Sequence, residues 1–240
     1  MILQEAWEFL TTADNWSGRR GIIHLTWNHV RLSAFAVLVA SVIAMPPALW
    51  LGHIRRGGLV AVSTVNISRA IPSFAVIALV LPFSLSWGFG LGFWPTFVAL
   101  FLLAMPPIFA NTYTGIREVP AATVEAANGM GMRSLEVLRR VEVPAALPLI
   151  MTGLRVSAVQ VVATATLGAL VGFDCLGSLI IQAIAEQDDG KLLASAALVG
   201  ALALLTDAAF GLAQRRMTPW VPRTTRKGRA RDVSLGPAGG

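Results

Sequence analysis

Two long stretches of the chain carry no charged residue, and they constrain the fold more than any other feature. One runs from Leu32 to Gly52 and the other from Ala70 to Ile116. An α-helix needs about 20 apolar residues to cross the hydrocarbon core of a bilayer. Hydrophobic residues make up 55% of the 240 residues and the mean hydropathy is +0.67, which is more apolar surface than one soluble core hides. The chain is therefore predicted to be an all-α membrane protein.

Two later apolar runs extend this pattern, and together the runs predict about five membrane-spanning helices. The sequence SWGFGLGFWP at residues 86–95 is rich in glycine and aromatic residues and is typical of a turn, so it divides the second charge-free stretch. We expect spans near residues 32–52, 58–83, 94–111, 148–172 and 192–213.

The basic residues are distributed unevenly along the chain, and this sets the expected orientation. Cytoplasmic segments of membrane proteins accumulate lysine and arginine. With the N-terminus outside, the outer segments hold only Arg19, Arg20, Arg31 and Lys191. The inner segments then hold Arg55, Arg56, Arg117, Arg133, Arg139, Arg140 and the basic tail. We therefore predict that the N-terminus lies outside and the C-terminus in the cytoplasm.

Both ends of the chain lie outside the predicted spans. Residues 1–30 are expected to form an extracytoplasmic interfacial segment, either as a short helix or as an ordered loop, since Trp7 and Phe9 stand among polar residues. Residues 215–240 form a basic tail that is expected to be disordered. Attraction to anionic lipid explains its charge, so we expect no nucleic-acid partner.

The longest expected connection between spans, near residues 112–147, is patterned rather than random. Apolar side chains recur there at helical spacing, at Leu135, Leu138 and Val141. Glu136 and Arg140 stand four residues apart, in the order that favours an ion pair on a helix. These features predict a short amphipathic helix on the cytoplasmic side.

Small and helix-breaking residues flank this predicted helix. Residues 125–127, Glu-Ala-Ala, give a helical turn with a small face, and Gly131 can bend the chain after it. Pro144 and Pro148 are expected to redirect the chain into the next span. Such a segment suits docking into a groove of another protein, and it equally suits a helix that lies on the inner membrane face.

The spacing of these residues resembles the EAA motif of bacterial ABC importer permeases, which is written EAA-x3-G-x9-I-x-L-P. Here it is Glu125-Ala126-Ala127, three residues, Gly131, nine residues and Val141-x-Val143-Pro144, with valines in place of isoleucine and leucine. The resemblance implies a MetI-like ABC permease fold over residues 31–214 and a coupling helix seated in a cleft of the ATP-hydrolysing subunit. The residues expected to carry this coupling are Glu125, Ala126, Ala127, Gly131, Leu135, Leu138, Val141 and Pro144.

Further segments are similar to one branch of that family, the osmoprotectant permeases. They are LTTADNWSGRRGI at residues 10–22, NISRAIPSFAVIALVLP at residues 66–82 and MPPIFANTYTGI at residues 105–116, so the resemblance covers most of residues 10–213. It implies import of glycine betaine, choline, carnitine or a similar trimethylammonium solute. Arg69 departs from the small or polar residue expected there, which leaves an amino acid or ergothioneine as alternative substrates.

The resemblance also implies the partners and the mechanism, which is alternating access. Two permease subunits, either two copies or this chain with a related one, enclose a path for a small-molecule substrate, and a separate extracytoplasmic solute-binding protein delivers it. Neither Lys191 nor Lys227 belongs to a phosphate-binding G-x4-G-K-[ST] loop, so the ATP-binding cassette ATPase is expected to be another chain. We expect a non-catalytic, multi-pass subunit of the bacterial inner membrane, without a cofactor.

Candidates for the substrate pathway stand where a charge, a proline or a ring face enters the expected spans. They are Arg69, Pro72, Ser73, Phe74 and Phe109. Arg69 either attracts a solute carboxylate or reaches the inner interface or Asp207, and the two rings either face a quaternary ammonium or simply pack. Arg155 is expected to reach the interface or support the coupling loop, and Asp207 to be a structural partner rather than a proton relay.

Two rival functions make different demands on the sequence. An intramembrane aspartyl protease needs two carboxylates that meet, but Asp174 and Asp207 are expected at different depths. His24, His29 and His53 show no metal-ligand spacing and no nucleophile is expected beside them, so neither a metal site nor a catalytic residue is predicted. A proton-coupled secondary transporter would require Asp207 and would work without an ATPase.

Overall fold

The computed structural model describes residues 1–58, 63 and 72–219, and all regular structure in that part of the chain is helical. The α-helices are α1 (Ile2–Thr11), α2 (Ile22–His53), α3 (Ser73–Ser86), α4 (Phe93–Arg117), α5 (Ala121–Gly129), α6 (Ser134–Val137), α7 (Val143–Thr164), α8 (Leu176–Glu186) and α9 (Asp189–Met217). Tighter 3₁₀ turns occupy Ala13–Trp16 and Ala165–Val171, and a wider π-turn occupies Leu138–Glu142. The predicted all-α architecture is confirmed.

Four helical stretches of the described residues are long and apolar enough to cross a membrane: Ile22–His53, Phe93–Arg117, Ser134–Val171 and Asp189–Met217. They correspond to four of the five expected spans. The other expected span, near residues 58–83, lies mostly outside the described residues, and its described part belongs to α3. The first span begins earlier than expected, because buried positions recur at helical spacing through Ile22, Leu25, His29 and Leu32.

The two prolines after the predicted amphipathic helix do not redirect the chain, so that expectation is wrong. The helix runs on from α6 through the π-turn into α7, past Pro144 and Pro148. A proline lacks the N–H of a helical turn, and its ring crowds the carbonyl four residues earlier. The wider π-turn stands directly before Pro144 and relieves this conflict. The span and the segment before it therefore form one helical rod.

The core of the bundle lies between α2, α4 and α7. One face of α2 carries a fully buried alanine at every fourth position: Ala36, Ala40, Ala44 and Ala48. These alanines pack against larger side chains of α4 and α7, among them Leu100, Ile108 and Val161. Small side chains let neighbouring helices approach closely, and this is a main source of helix association within lipid.

The crossing of α4 and α7 requires a glycine at position 153. A Cβ atom on Gly153 would lie 2.8 Å from the Cβ atom of Asn111 and 2.8 Å from the Pro107 carbonyl oxygen. Asn111 Nδ2 donates to the same Pro107 carbonyl at 2.8 Å, and Ser157 Oγ donates to the Ala104 carbonyl at 3.1 Å. Backbone oxygens beside the double proline of α4 thus gain side-chain donors while the helix stays continuous.

Helix α9 lies antiparallel to α7 and is held there by polar contacts. Arg155 donates from Nε to Asp207 Oδ1 and from Nη2 to Asp207 Oδ2, both at 2.5 Å. Further along, Gln214 Nε2 donates to the Pro148 carbonyl at 3.0 Å. A bidentate pair of this kind lowers the cost of placing two charges within a membrane span. Asp207 is thus partnered by Arg155, whereas Arg69, the partner considered from the sequence, lies outside the described residues.

The N-terminal residues form helix α1. Of the two alternatives for this segment, a short helix or an ordered loop, the structure therefore shows the helix. Helix α1 packs on the start of α9, where Lys191 Nζ lies 6.0 Å from the centre of the Phe9 ring. Lys191 Nζ also donates to Glu186 Oε2 at 2.8 Å. Because α7 and α9 are antiparallel, the start of α9 and the start of α7 lie at opposite ends of the bundle. Helix α1 is therefore far from the segment that carries the EAA-like motif.

Candidate functional site

The segment that carries the motif connects α4 to α7 and is called the coupling segment here, residues 118–142. Its first half is helix α5, which ends at Gly129. Gly131 then adopts φ of +82°, a left-handed conformation that glycine tolerates far better than other residues. Two backbone hydrogen bonds close this turn, from Gly131 N to the Asn128 oxygen at 2.9 Å and from Met132 N to the Ala127 oxygen at 3.3 Å. The chain therefore bends at Gly131, as the sequence predicts.

Helix α5 has one buried side chain, and Val124 is partly buried. Ala127 is 2% exposed and is the only buried residue of α5. Most of the other α5 positions are open, and their side chains are small or polar: Ala121, Ala122, Thr123, Glu125, Ala126 and Asn128. Of the expected Glu-Ala-Ala group, Glu125 and Ala126 thus face away from the bundle, and Ala127 faces it.

The second half of the coupling segment fully or partly buries two of the three predicted apolar positions and one more beside them. Val137 and Leu138 are buried and Val141 is partly buried, whereas Leu135 is exposed at the edge of that face and Pro144 is exposed after it. Leu138 packs in a cluster with Ile116, Ala146 and Ile150. Leu138 and Val141 therefore anchor the segment to the bundle, and Val137 is an anchor that sequence reasoning missed.

Glu136 has a different partner from the one predicted. Its Oε2 accepts a hydrogen bond from the backbone N–H of Arg133 at 3.0 Å, at the start of α6. Among the ion pairs of the described residues, none joins Glu136 to Arg140. The first turn of a helix has unpaired N–H groups, and a glutamate there satisfies one of them. Glu136 thus caps the start of the rod that becomes α7.

A hydrogen-bonded link at the base of this rod was not predicted. His53, the last residue of α2, lies with Nδ1 2.5 Å from Glu142 Oε2 and with Nε2 2.6 Å from the hydroxyl oxygen of Ser134. Glu142 is 1% exposed. The expectation that no nucleophilic side chain stands beside a histidine is therefore wrong for His53. Separations of 81 and 89 residues along the chain leave no local sequence signal for this link.

The end of α2 is also bonded to the start of the coupling segment. Arg55 Nη2 donates to the Val119 carbonyl at 3.1 Å, and Arg117 Nη1 donates to the Arg55 carbonyl at 3.0 Å. A Cβ atom on Gly52 would lie 2.8 Å from the Cβ atom of Ile116, so only glycine allows this approach. The ends of α2 and α4 and the coupling segment thus form one connected base.

The substrate-pathway candidates are not gathered into one site by the described residues. Arg69 lies outside those residues. Pro72 is exposed at the N-cap of α3, Ser73 is partly buried and Phe74 is exposed. Phe109 is buried in the core and stacks on Tyr113, with ring centres 6.4 Å apart. Phe109 thus packs, and its aromatic neighbour is Tyr113 rather than Phe74.

The chain matches a known protein family over most of its length. Residues 36–219 match the family described as binding-protein-dependent transport system inner membrane component. That range contains the whole coupling segment and the spans that pack around it.

Named relatives and a solved structure agree with this match. The carnitine transport permease protein OpuCB of Listeria monocytogenes is 34% identical over 203 residues, which cover 85% of this chain and 91% of that protein. The choline transport system permease protein OpuBB of Bacillus subtilis (strain 168) is 33% identical over 198 residues, which cover 82% of this chain and 89% of that protein.

The fold comparison is equally extensive. A chain from the structure described as inward-facing conformations of the MetNI methionine ABC transporter superposes with a TM-score of 0.70 at 23% identity, covering 82% of this chain and 96% of that one. At this identity the likeness shows the fold alone. Together the family match and the two relatives show that the chain belongs to the family of binding-protein-dependent transport system inner membrane components and is a permease subunit of an ABC importer.

Proposed function

We propose that this permease forms the membrane path for a trimethylammonium solute of the glycine betaine, carnitine and choline class, and that α5 seats in a separate ATPase subunit. The exposure of α5 carries the coupling part of the proposal, because Ala127 is the only buried residue of this helix and the chain bends at Gly131 directly after it. Short helices are marginally stable in water, so a partner surface on the uncovered side would stabilise α5.

The character of the uncovered side favours a protein groove over the membrane face. A helix on the inner membrane face presents large apolar side chains to lipid. Helix α5 presents small side chains, which let its backbone approach a groove closely, and the carboxylate of Glu125. Met130 and Leu135 are exposed on either side of the Gly131 turn and would add apolar anchors.

The arginines at the base of the bundle support a cytoplasmic location for α5. Just past the end of α2, beside the start of the coupling segment, the Arg117 side chain donates to the backbone carbonyl of Arg55. Cytoplasmic ends of spans are enriched in arginine. An ATPase that uses cytoplasmic ATP would meet the protein at this end, so the N-terminus would lie outside.

The names of the relatives support the substrate class. One is named for carnitine transport and the other for choline transport. Carnitine and choline share a trimethylammonium group, whose fixed positive charge is attracted to aromatic faces and carboxylates. Identity of 33 to 34% over most of the chain supports the shared class rather than one member of it.

The remaining partners follow from the division of labour in such an importer. A second permease subunit, as a copy of this chain or a related one, would complete the path. A separate binding protein would deliver the solute outside, and ATP hydrolysis would take place in the partner subunits rather than in this chain.

Purification followed by reconstitution tests the proposal. The chain is isolated from its native membrane in mild detergent and the proteins that accompany it are identified. The isolated complex, with its binding protein, is then placed in liposomes and supplied with labelled glycine betaine, carnitine, choline or methionine. We expect an ATPase to accompany the chain and uptake of at least one trimethylammonium solute to require ATP. Uptake without an ATPase would contradict the proposal.

A pair of glycine variants isolates the role of the coupling segment in the same assay. Gly131→Asp strains the turn at φ of +82°, whereas Gly129→Ala adds a methyl group into open space at an ordinary helical position. We expect the Gly131→Asp chain to insert in the membrane, but to bind little of the ATPase subunit and to take up little solute. The Gly129→Ala chain should bind the ATPase and take up solute as the wild type does. Equal retention by the two variants would count against α5 as the docking element.

A further inference from the structure

The link at His53 joins three elements that meet at the base of the bundle. His53 ends α2, Ser134 begins α6, and Glu142 ends the π-turn. These three residues are called the His53 link. Ser134 and Glu142 thus stand at the two ends of the short stretch through which the coupling segment passes into α7. One imidazole bonds both ends of that stretch to α2.

The chemistry of the three groups fixes the direction of the hydrogen bond to Glu142, while the Ser134 hydroxyl can either donate to the ring or accept from it. An ionised glutamate only accepts, so His53 Nδ1–H donates to Glu142. In the neutral imidazole Nε2 is then an acceptor, and the Ser134 hydroxyl donates to it. A single tautomer therefore satisfies both contacts. Because Glu142 is buried, loss of the imidazole would leave a buried carboxylate without its partner, which costs free energy. The contact between His53 and Glu142 is therefore strongly favoured.

The position of the link gives it a mechanical consequence. The coupling segment can pass a displacement to α7 directly, since α6, the π-turn and α7 form one rod. Helix α2 is a separate element, which the core packs against α4 and α7 through small alanine side chains. Near its start His29 Nε2–H donates to the Val162 carbonyl of α7 at 2.8 Å. Just past its end Arg55 Nη2 donates to the Val119 carbonyl at 3.1 Å. The His53 link is a directional contact between α2 and the second half of the coupling segment, which is the start of the rod. Movement of the rod would therefore carry the end of α2 with it.

We propose that His53 is a positioning residue for transport, which transmits movement of the coupling segment to α2 through Ser134 and Glu142. This inference rests on the proposed docking of α5 to an ATPase. The additional claim is that docking of α5 moves helix α2 as well as helix α7. It gives His53 a role that no local feature of the sequence indicates.

The test measures ATP hydrolysed per solute transported, with the assembled importer in liposomes. The variants are Ser134→Ala, which removes one contact, and Ser134→Thr, which keeps the hydroxyl. His24→Asn is the matched control, because His24 lies on the same helix and bonds to Asn28 at 3.2 Å, far from the coupling segment. We expect Ser134→Ala to raise the ratio by about two- to tenfold and Ser134→Thr and His24→Asn to leave it unchanged.

Glu142→Gln gives a second, independent variant, because it keeps the shape of the side chain and removes its charge. We expect a smaller rise in the ratio, with the ATPase still bound, because the amide oxygen still accepts from His53 Nδ1–H but lacks the negative charge. If both variants assemble normally and keep the wild-type ratio, the link is only a structural contact and the inference is overturned. If the wild-type complex holds no ATPase, the proposed function fails instead, and the two failures are thereby distinguished. Covalent labelling of Ser134 by a fluorophosphonate would also overturn the inference, since it would assign Ser134 a nucleophilic role.

Discussion

Helices α1 and α5 lie at opposite ends of the bundle, and each buries a single alanine, Ala6 or Ala127. They differ in what they leave uncovered. Helix α1 exposes large apolar side chains, with Leu3 78% and Trp7 69% exposed. Helix α5 exposes small and polar side chains. The difference indicates two kinds of neighbour: the surface of α1 suits the interface of a bilayer, and the surface of α5 suits a protein groove.

The two helices also differ in how they are attached. Helix α1 meets Lys191, which lies over the Phe9 ring and is itself held by Glu186. Within the described residues, no side chain of α5 makes a hydrogen bond, and the Gly131 turn is closed by backbone groups. Helix α5 thus keeps its polar side chains available. A helix that transmits force to the spans would be attached in this way: its backbone is held at the turn, and its exposed side chains are free to contact a partner.

The largest effect is expected from adding bulk to the uncovered side of α5. Ala126→Trp places a large ring where a groove would close on a small side chain. Since overpacking a close contact costs about 1–3 kcal/mol, we expect uptake to fall by about five- to 150-fold. Gln4→Trp is the matched control on the exposed side of α1, and we expect it to leave uptake unchanged. Equal loss from both variants would remove the distinction between the two helices.

Asp207→Asn is expected to reduce transport less than Ala126→Trp does, and to lower the stability of the assembled complex. This change leaves Arg155 without its carboxylate within the bundle. Both side chains are more than a third exposed in this chain, so we expect only a modest loss of stability, read as a lower melting temperature of the complex. Complexes that do assemble should still take up solute with ATP.

The double variant Arg155→Gln with Asp207→Asn sharpens this result, because it removes both charges. We expect part of the stability to return in the double variant. Complete loss of transport in an Asp207→Asn complex that assembles normally would instead favour a proton-coupled transporter.

Next in size is the effect of alanine at the two glycines that end α5. Gly131→Ala forces a side chain into a left-handed conformation and is expected to cost about 1 kcal/mol, whereas Gly129→Ala is expected to be neutral or slightly stabilising. Thermal unfolding of the two variants measures the difference. Identical melting temperatures would show that the turn does not hold α5 in place.

The smallest expected effect concerns the attachment of α1 and its dependence on pH. Hydrogen bonds from Lys191 and Gln182 lower the pKa of the Glu186 carboxyl below its ordinary value. The contact therefore stabilises the docked α1 at neutral pH and is lost as the pH falls through the lowered pKa. Relative to the intrinsic exchange rate at each pH, the amides of α1 should be less protected from hydrogen exchange at acidic pH. Lys191→Met should show raised exchange at neutral pH and little further change on acidification, and a full pH response in that variant would assign the effect to another group.

The comparison also shows which features the sequence could predict. Four of the expected spans and the turn at Gly131 arise from local patterns, namely apolar runs and a glycine at fixed spacing, so they were predicted and found in the described part of the chain. The partners of Glu136, Asp207 and His53 depend on which helices meet and at what rotation. A π-turn shifts that rotation, and nothing in the residues 138–142 themselves marks it. Long-range polar pairing was therefore the part that required the structure.

The central claim, that α5 docks on a cytoplasmic ATPase and α1 does not, is tested most directly by cysteine labelling. The only native cysteine, Cys175, is buried, so single cysteines at Ala126 and Gln4 can be labelled with a membrane-impermeant maleimide. In inverted vesicles stripped of the ATPase, the account predicts labelling at position 126 that is blocked when the ATPase is restored. In right-side-out vesicles it predicts labelling at position 4 whether or not the ATPase is present. Labelling at position 126 that the ATPase does not block would contradict the account.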